Sequence, residues 1–182
     1  MGCVGALRRK GRIAVKVLVT GGTSMIGRAV IEALHQRGDE VTSLQRGEAD
    51  LPGTMLRGSI TDPDVVAAAV AGQDAIVHLA ARVGVTGAWD DYEAINVGGT
   101  RTLIATAQAA GVSRFVHVSS PSVAHTGESI VGDGATPATP DAATSHYSRS
   151  KAMAEVEALA SSTDAMPVVA CLLYTSPSPR DS

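Results

Sequence analysis

A tyrosine and a lysine four residues apart could together move a proton. Tyr147 and Lys151 lie in the segment YSRSK, at the start of a helix predicted over residues 147–160, so their side chains would share one helix face. A phenol with a pKa near ~10 is a poor base at neutral pH, but a neighbouring ammonium stabilises the phenolate and lowers that pKa. The pair is a candidate proton relay, although this spacing also occurs on ordinary helix surfaces.

A serine follows the apolar segment SRFVHVS, which predicts a strand over residues 113–119. Ligands of open α/β sheets bind at the carboxyl ends of the strands. Ser120 would therefore meet Tyr147 and Lys151 at that edge, where its hydroxyl could hydrogen-bond a reacting oxygen.

A glycine-rich turn, TGGTSMIG at residues 20–27, lies between a predicted strand over 14–20 and a predicted helix over 25–36. Glycines in this context allow a tight turn and close approach to a pyrophosphate, which the helix N-terminal amides then hold. Gly21 and Gly27 stand at the outer positions of the motif. Ser24 occupies the middle position, where a third glycine is usual, so we expect a slightly looser approach of the backbone there.

The end of the second predicted strand, over residues 40–44, bears on the choice between two nicotinamide cofactors. An acidic residue there accepts a hydrogen bond from a ribose 2′-hydroxyl and repels a 2′-phosphate. This chain has Gln45 and Arg46 instead, and the planar fork of Arg46 suits a phosphate. The sequence favours NADP over NAD, with a solvated arginine at a strand end as the alternative.

Strands and helices alternate along the chain. Further strands are predicted over residues 54–57, 74–79 and from 167 to 170, with a helix beginning at Pro63 and another over residues 91–110. This alternation predicts an α/β protein with a doubly wound parallel sheet and helices on both faces. The polar segment 120–145 is expected to be a long surface loop without packed elements.

Composition excludes several classes of protein. With 182 residues, 45% hydrophobic residues and a net charge of −3, the chain reads as one globular domain without the basic patches typical of nucleic-acid binders. Cys3 and Cys171 have no metal-binding or disulfide spacing, which suits a reducing cytoplasm. No apolar run reaches the ~18 residues of a membrane span.

Five motifs in order resemble the extended short-chain dehydrogenases/reductases, the NAD-dependent epimerase/dehydratase superfamily. They are TGGTSMIG at 20–27, HLAA at 78–81, NVGGT at 96–100, VSSPSV at 118–123 and YSRSK at 147–151. The resemblance covers residues 14–170 and implies a Rossmann-type fold that holds NAD(P). It implies Tyr147 as acid/base, Lys151 holding the nicotinamide ribose and tuning Tyr147, and Ser120 orienting substrate. The implied cofactor-binding residues are Gly21, Gly22, Thr23, Ser24, Met25, Ile26, Gly27, Arg46, Ile60, Leu79, Ala80, Ala81, Asn96, Tyr147 and Lys151.

Some positions depart from the family's usual pattern. Ser59 replaces the acid expected near adenine, and His78 is interpreted as a packing residue rather than a catalyst. Ala124 and His125 after the serine pair resemble the 3β-hydroxysteroid dehydrogenase branch, whereas sugar-nucleotide epimerases more often have Val-Tyr-Gly.

The expected activity is hydride transfer between NAD(P) and a secondary alcohol or ketone, with a sterol-like or sugar-nucleotide substrate. The alternative is a non-catalytic NADP-binding regulator or redox sensor on the same fold, against which the intact Ser120, Tyr147 and Lys151 argue.

The two ends of the chain do not share this pattern. Residues 1–12 are expected to be a loose leader, and CLLYTSPSPRD at 171–181 resembles the translation of a transposase sequencing adaptor; a natural proline-rich terminus is the alternative. The expectation is that the native sequence departs after about Ala170, that a C-terminal substrate domain is missing, and that the chain alone is inactive. A homodimer of the complete protein is compatible with this interpretation.

Overall fold

Six parallel strands form the centre of the protein. The computed structural model describes residues 13–84, 86–124 and 138–173, so the leader at 1–12 and the tail from 174 onward lie outside the described residues. The strands are β1 Lys16–Thr20, β2 Glu40–Gln45, β3 Thr54–Arg57, β4 Ala75–His78, β5 Arg114–Ser119 and β6 Val168–Leu172. Their order, β3-β2-β1-β4-β5-β6, reverses direction between β1 and β4, and this confirms the predicted doubly wound sheet. Such a reversal opens a crevice at the carboxyl ends of the strands.

Five α-helices lie in the described part of the chain: α1 Met25–Gln36, α2 Pro63–Val70, α3 Trp89–Tyr92, α4 Gly99–Ala109 and α5 His146–Ala160. Side chains cap the N-termini of three of them, α1, α2 and α5. Asp62 caps α2 through the backbone N–H groups of Asp64 and Val65, with Pro63 in the first turn, as predicted. The helix predicted over 91–110 begins two residues earlier, at Trp89, and a π-helical segment, Glu93–Gly98, joins α3 to α4.

Two layers of apolar side chains cover the two faces of the sheet. Leu18 of β1 faces one layer, together with residues from α2, α4 and α5. Its neighbours Val17 and Val19 face the other, which α1 covers through Ile31. This alternation is the period of a strand buried on both faces. Packing on both faces of the sheet therefore positions the strand ends at the edge where the candidate site lies. None of the helices in the described ranges is long and apolar enough to cross a membrane.

The segment expected to be a loop without packed elements differs at both ends. Short 3-10 turns lie at Pro121–Ala124 and Pro140–Ala142, and Val123 is fully buried. The prediction was wrong here because one apolar side chain suffices to anchor a short turn. Residues 125–137, which include His125, lie outside the described residues. Strand β6 runs two residues past Ala170, to Leu172.

Candidate active site

The glycine turn has no room for side chains at its two outer positions. Gly21 has a positive φ of 76°, and a Cβ there would lie 2.8 Å from the backbone nitrogen of Ala80. A Cβ on Gly27 would collide with the carbonyl oxygen of Gly21. The two glycines thus allow the turn to pass against β4 and let α1 start directly on the turn, which is the geometry a pyrophosphate needs.

Ser24, found where a glycine is usual, is the N-cap of α1. Its Oγ accepts a hydrogen bond from the Gly27 N–H at 3.0 Å and donates one to the Gly21 carbonyl at 2.9 Å. The serine therefore closes the turn and occupies one of the free amides at the start of the helix. The sequence predicted a slightly looser approach of the backbone to a pyrophosphate here, and this stays a prediction; the structure shows that the Ser24 side chain holds the turn itself.

A cavity of about 210 Å³ lies at the carboxyl ends of β1 to β4. Several predicted cofactor residues line it: Gly21, Thr23, Ser24, Arg46, Ile60, Leu79, Ala80 and Ala81. The lining also includes residues that the sequence analysis did not assign to the cofactor: Leu44, Gln45, Gly58, Ser59, Val83 and Ile95. Other predicted residues are not part of this lining: Gly22, Met25, Ile26, Gly27, Asn96, Tyr147 and Lys151.

Polar residues at the ends of β2 and β3 lie in or beside the cavity: Gln45 lines it, and Arg57 contacts the backbone of a lining residue. Gln45 is only 5% exposed, and its Oε1 has no hydrogen-bond partner among the described residues. Arg57 donates from Nε to the carbonyl of Arg46 and from Nη1 to Glu48, both at 3.1 Å. Arg57 was not identified from the sequence, and its contact fixes the backbone from which the Arg46 side chain projects.

Ser120 follows β5 and is paired with a second serine. Its Oγ lies 3.0 Å from the Oγ of Ser122 and 3.3 Å from the Ser122 backbone nitrogen. The nitrogen can only donate, so the Ser120 oxygen accepts from it. Ser122 therefore sets the orientation of the hydroxyl that the sequence analysis placed beside the substrate.

Lys151 is buried against β5. Helix α5 begins at an N-cap, Ser145, one residue before the turn that carries Tyr147. Lys151 is 4% exposed, and its Nζ donates to the carbonyl of Val118 at 2.8 Å and lies 3.3 Å from Nε2 of His117. Burial lowers the pKa of Lys151 to about 8, while the nearby Glu155 carboxylate opposes that shift.

The three predicted catalytic residues lie on adjoining elements, since α5 packs on β5 and on the 3-10 turn that follows it. Among the described residues, no hydrogen bond joins the side chains of Ser120, Tyr147 and Lys151 to one another. Tyr147 is half-buried near the start of α5. The structure brings the three residues to one edge of the sheet without showing them in contact.

Asn96 ties three elements together. Its Oδ1 accepts from the Arg82 backbone N–H at 2.7 Å, and its Nδ2 donates to the Arg82 carbonyl and, at 2.8 Å, to Ser150 of α5. His78, on the neighbouring strand end, contacts Thr20 and Thr100 and is 1% exposed. Asn96 thus connects the segment after β4 to α5, and His78 connects β4 to β1 and α4. The interpretation of His78 as a packing residue agrees with these contacts.

The sequence is similar to those of known proteins. The sequence matches the profile of the NAD dependent epimerase/dehydratase family over residues 17–181. A 3 beta-hydroxysteroid dehydrogenase/Delta 5→4-isomerase of Mycobacterium tuberculosis is 40% identical over 165 residues, covering 82% of this chain and 45% of the relative. A 2-alkyl-3-oxoalkanoate reductase of Stenotrophomonas maltophilia is 41% identical over 115 residues, covering 61% of this chain and 35% of the relative.

A solved structure is similar over most of the chain. It is a short-chain dehydrogenase/reductase superfamily protein of Agrobacterium tumefaciens with bound NAD, with a TM-score of 0.76 and 32% identity, covering 85% of this chain and 48% of the other. The chain thus spans less than half the length of each of these three proteins.

Proposed function

Because the chain belongs to the NAD dependent epimerase/dehydratase family, we propose that it forms the cofactor-binding part of an oxidoreductase. The proposed reaction moves a hydride between NAD(P) and a secondary alcohol or ketone. The single observation that carries this proposal is the cavity at the reversal point of the sheet, lined by the glycine turn.

The residues of the cavity fit a dinucleotide. The turn at Gly21 and Gly27 leaves space for a pyrophosphate beside the first amides of α1. The Oε1 of Gln45, buried at the end of β2, has no hydrogen-bond partner among the described residues and lies 2.9 Å from where a Cβ on Gly22 would be, close beneath the same turn. When bound, the cofactor supplies the hydride acceptor or donor, and the protein supplies orientation and proton handling.

Proton handling is assigned to α5 and the end of β5. We propose that the Tyr147 hydroxyl gives or takes the proton at the reacting oxygen, since a positive charge nearby favours the phenolate. Lys151 would supply that charge and hold the nicotinamide ribose. Ser120, oriented by Ser122, would hydrogen-bond the same reacting oxygen.

We propose that NADP is the preferred cofactor. Arg46 lines the cavity, and the carboxylate that would repel a 2′-phosphate is missing from the end of β2. Arg57 supports this assignment by fixing the Arg46 backbone. Its own guanidinium is paired with Glu48, so Arg46 is the cation we assign to the phosphate.

The substrate is proposed to be an apolar ketone or secondary alcohol. The two relatives named above are a hydroxysteroid dehydrogenase and an oxoalkanoate reductase. Both names describe an alcohol or ketone group on a hydrocarbon skeleton. A sugar nucleotide is the alternative. We further propose that the chain belongs to a longer protein that includes a substrate domain, since this chain matches only 45% of the steroid dehydrogenase. A cytoplasmic location is also proposed.

The test is single-turnover hydride transfer, followed by nicotinamide absorbance, in the longer protein. Tyr147→Phe keeps the ring and its packing but removes the proton, so the rate should fall about 10²- to 10⁴-fold with little change in cofactor affinity. Ser120→Ala should lower the rate more mildly, and Ser122→Ala less again. A near-parental rate in Tyr147→Phe would refute the assignment of Tyr147 as the proton donor or acceptor. The non-catalytic regulator would be the better account if the parent protein bound the cofactor but transferred no hydride.

A further inference from the structure

Two histidines lie side by side in the middle of the sheet. His78 of β4 and His117 of β5 are register partners, their ring centroids are 5.5 Å apart, and both are almost completely buried. Their surroundings are nearly the same, but their hydrogen-bond partners differ. The difference bears on the lysine of the candidate site.

His78 has no free position on its ring. The Thr100 hydroxyl donates to the Asn96 carbonyl at 2.6 Å, so its oxygen must accept from Nε2 of His78, 2.9 Å away. On the other side, a neutral ring with its proton on Nε2 has Nδ1 as an acceptor, so the Thr20 hydroxyl donates to Nδ1 at 2.7 Å while its oxygen accepts from the Ala80 N–H at 3.1 Å. His78 is thus a neutral ring with its proton on Nε2 and both nitrogens in use.

His117 has one polar partner in the described part of the chain, the Nζ of Lys151 at 3.3 Å. Its Nδ1 is buried without a hydrogen-bond partner there. An ammonium group only donates, so Nε2 of His117 must be the acceptor and the ring proton must lie on Nδ1. An acceptor therefore faces the lysine from β5, next to the Val118 carbonyl.

We propose that His117 is a positioning residue, which with the Val118 carbonyl fixes the Lys151 ammonium against the end of β5. Two of the three N–H groups of Lys151 are then committed to the strand, and one is left for the site. The role of the third N–H group rests on the function proposed above. The fixing of the Lys151 ammonium by His117 and Val118 does not. Nothing in the sequence pattern had distinguished His117 from an ordinary strand residue.

The charges around Lys151 make this acceptor important. Burial, with a smaller contribution from Lys151 itself, lowers the pKa of His78 to about 3 and of His117 to about 2, so the sheet presents neutral rings. Glu155, buried one turn further along α5, is the carboxylate that favours the charged lysine. If the His117 acceptor is removed, one fewer group stabilises the charged form of Lys151 against the effect of burial. The pKa of Lys151 should then fall further.

The experiment measures the pKa of Lys151 directly by NMR. The chain has three lysines, Lys10, Lys16 and Lys151, so ¹³C and ¹⁵N lysine labelling gives few signals, and Lys151→Met assigns the third. His117→Phe removes the acceptor and keeps ring volume, and should lower the Lys151 pKa by about one unit or more. His117→Gln keeps a neutral acceptor and should restore the parental value to within about half a unit.

A second measurement needs no variant. In the ¹⁵N spectrum of the parent's histidine rings, His117 should carry its proton on Nδ1, and its Nε2 signal should shift with the same midpoint as Lys151. A proton on Nε2 would overturn the proposal even if His117→Phe does not fold. So would a folded His117→Phe whose Lys151 titrates as in the parent. Neither readout requires cofactor or turnover, so failure of the proposed reaction leaves this test intact.

Discussion

The two ends of the candidate site are built by different means. The nucleotide end, formed by the glycine turn and the carboxyl ends of β1 to β3, is shaped by backbone: two glycines, the start of α1 and a strand-end carbonyl that Arg57 holds. The other end, called the catalytic end after its proposed role, is formed by the carboxyl ends of β4 and β5 with Asn96 and the first two turns of α5. It is shaped by buried side-chain hydrogen bonds between distant residues. Asn96 and Ser150, for example, are 54 residues apart in sequence.

This difference predicts different weaknesses. A backbone cradle depends on local conformation and is insensitive to protonation, whereas buried polar networks lose stability whenever one member is removed or charged. Substitutions at the nucleotide end should therefore mainly change cofactor affinity. Substitutions at the catalytic end should mainly change folding stability and its dependence on pH.

The largest expected effect is acid destabilisation through the catalytic end. The pKa values of His78 and His117, about 3 and about 2 in the folded protein, lie below the ordinary value of 6.5. The unfolded chain therefore binds protons that the folded chain does not, and stability present above pH 6.5 is lost as the pH falls toward 3. Between pH 7 and pH 5, each histidine should lower the free energy of unfolding by about 2 kcal/mol.

Urea unfolding followed by circular dichroism at several pH values checks this expectation. His117→Gln removes one titrating ring and should lose about 2 kcal/mol less over the same interval. His35→Gln, an exposed substitution near the end of α1, is the control and should behave as the parent. If His117→Gln kept the full pH dependence, the buried ring would not be the source of the acid sensitivity.

Next in size is the loss of the Asn96 tie. Asn96→Ala leaves the Arg82 backbone groups and the Ser150 hydroxyl without their amide partner, which should cost about 2 to 3 kcal/mol of stability. Gln108→Ala removes a comparable amide that bonds Ser161 at an exposed site, and should cost well under about 1 kcal/mol. Denaturant midpoints of both variants measure the difference. Equal losses would show that the catalytic end does not depend on this network.

These two effects also show how far sequence reasoning reached. The glycine turn, the Asp62 cap, the strand order class and most element boundaries were predictable because each depends on local residue types with a fixed backbone consequence. The π-helical segment, the buried turn at Val123 and the Lys151–His117 contact were not, because each arises from packing between segments far apart in the chain. Ser24 was recognised as a departure, but its capping role depends on a hydrogen bond that appears only once α1 is placed.

At the nucleotide end, the expected effect is on affinity and is smaller. Arg46→Ala should weaken NADPH binding about tenfold and leave NADH binding nearly unchanged, because one charge-assisted contact to a phosphate is lost. Arg114→Ala, an exposed arginine at the opposite end of β5, should change neither. Fluorescence titration of both cofactors decides the matter, and an equal loss for NADPH and NADH would show that Arg46 does not bind the 2′-phosphate.

The smallest effect should come from substituting Ser24. Its side-chain hydrogen bonds help to shape the nucleotide end, as side-chain hydrogen bonds do at the catalytic end. Its hydroxyl accepts from Gly27 and donates to Gly21, so no proton remains for a pyrophosphate, and one helix amide is occupied. Ser24→Gly frees that amide and should cost only a few tenths of a kcal/mol in stability, whereas Ser24→Ala should cost about 1 kcal/mol. Cofactor binding should be unchanged or about two- to threefold tighter in Ser24→Gly, since the freed N–H can face the phosphates. Weaker binding in that variant would mean that the serine hydroxyl contacts the cofactor itself, and that this end, too, relies on a side chain.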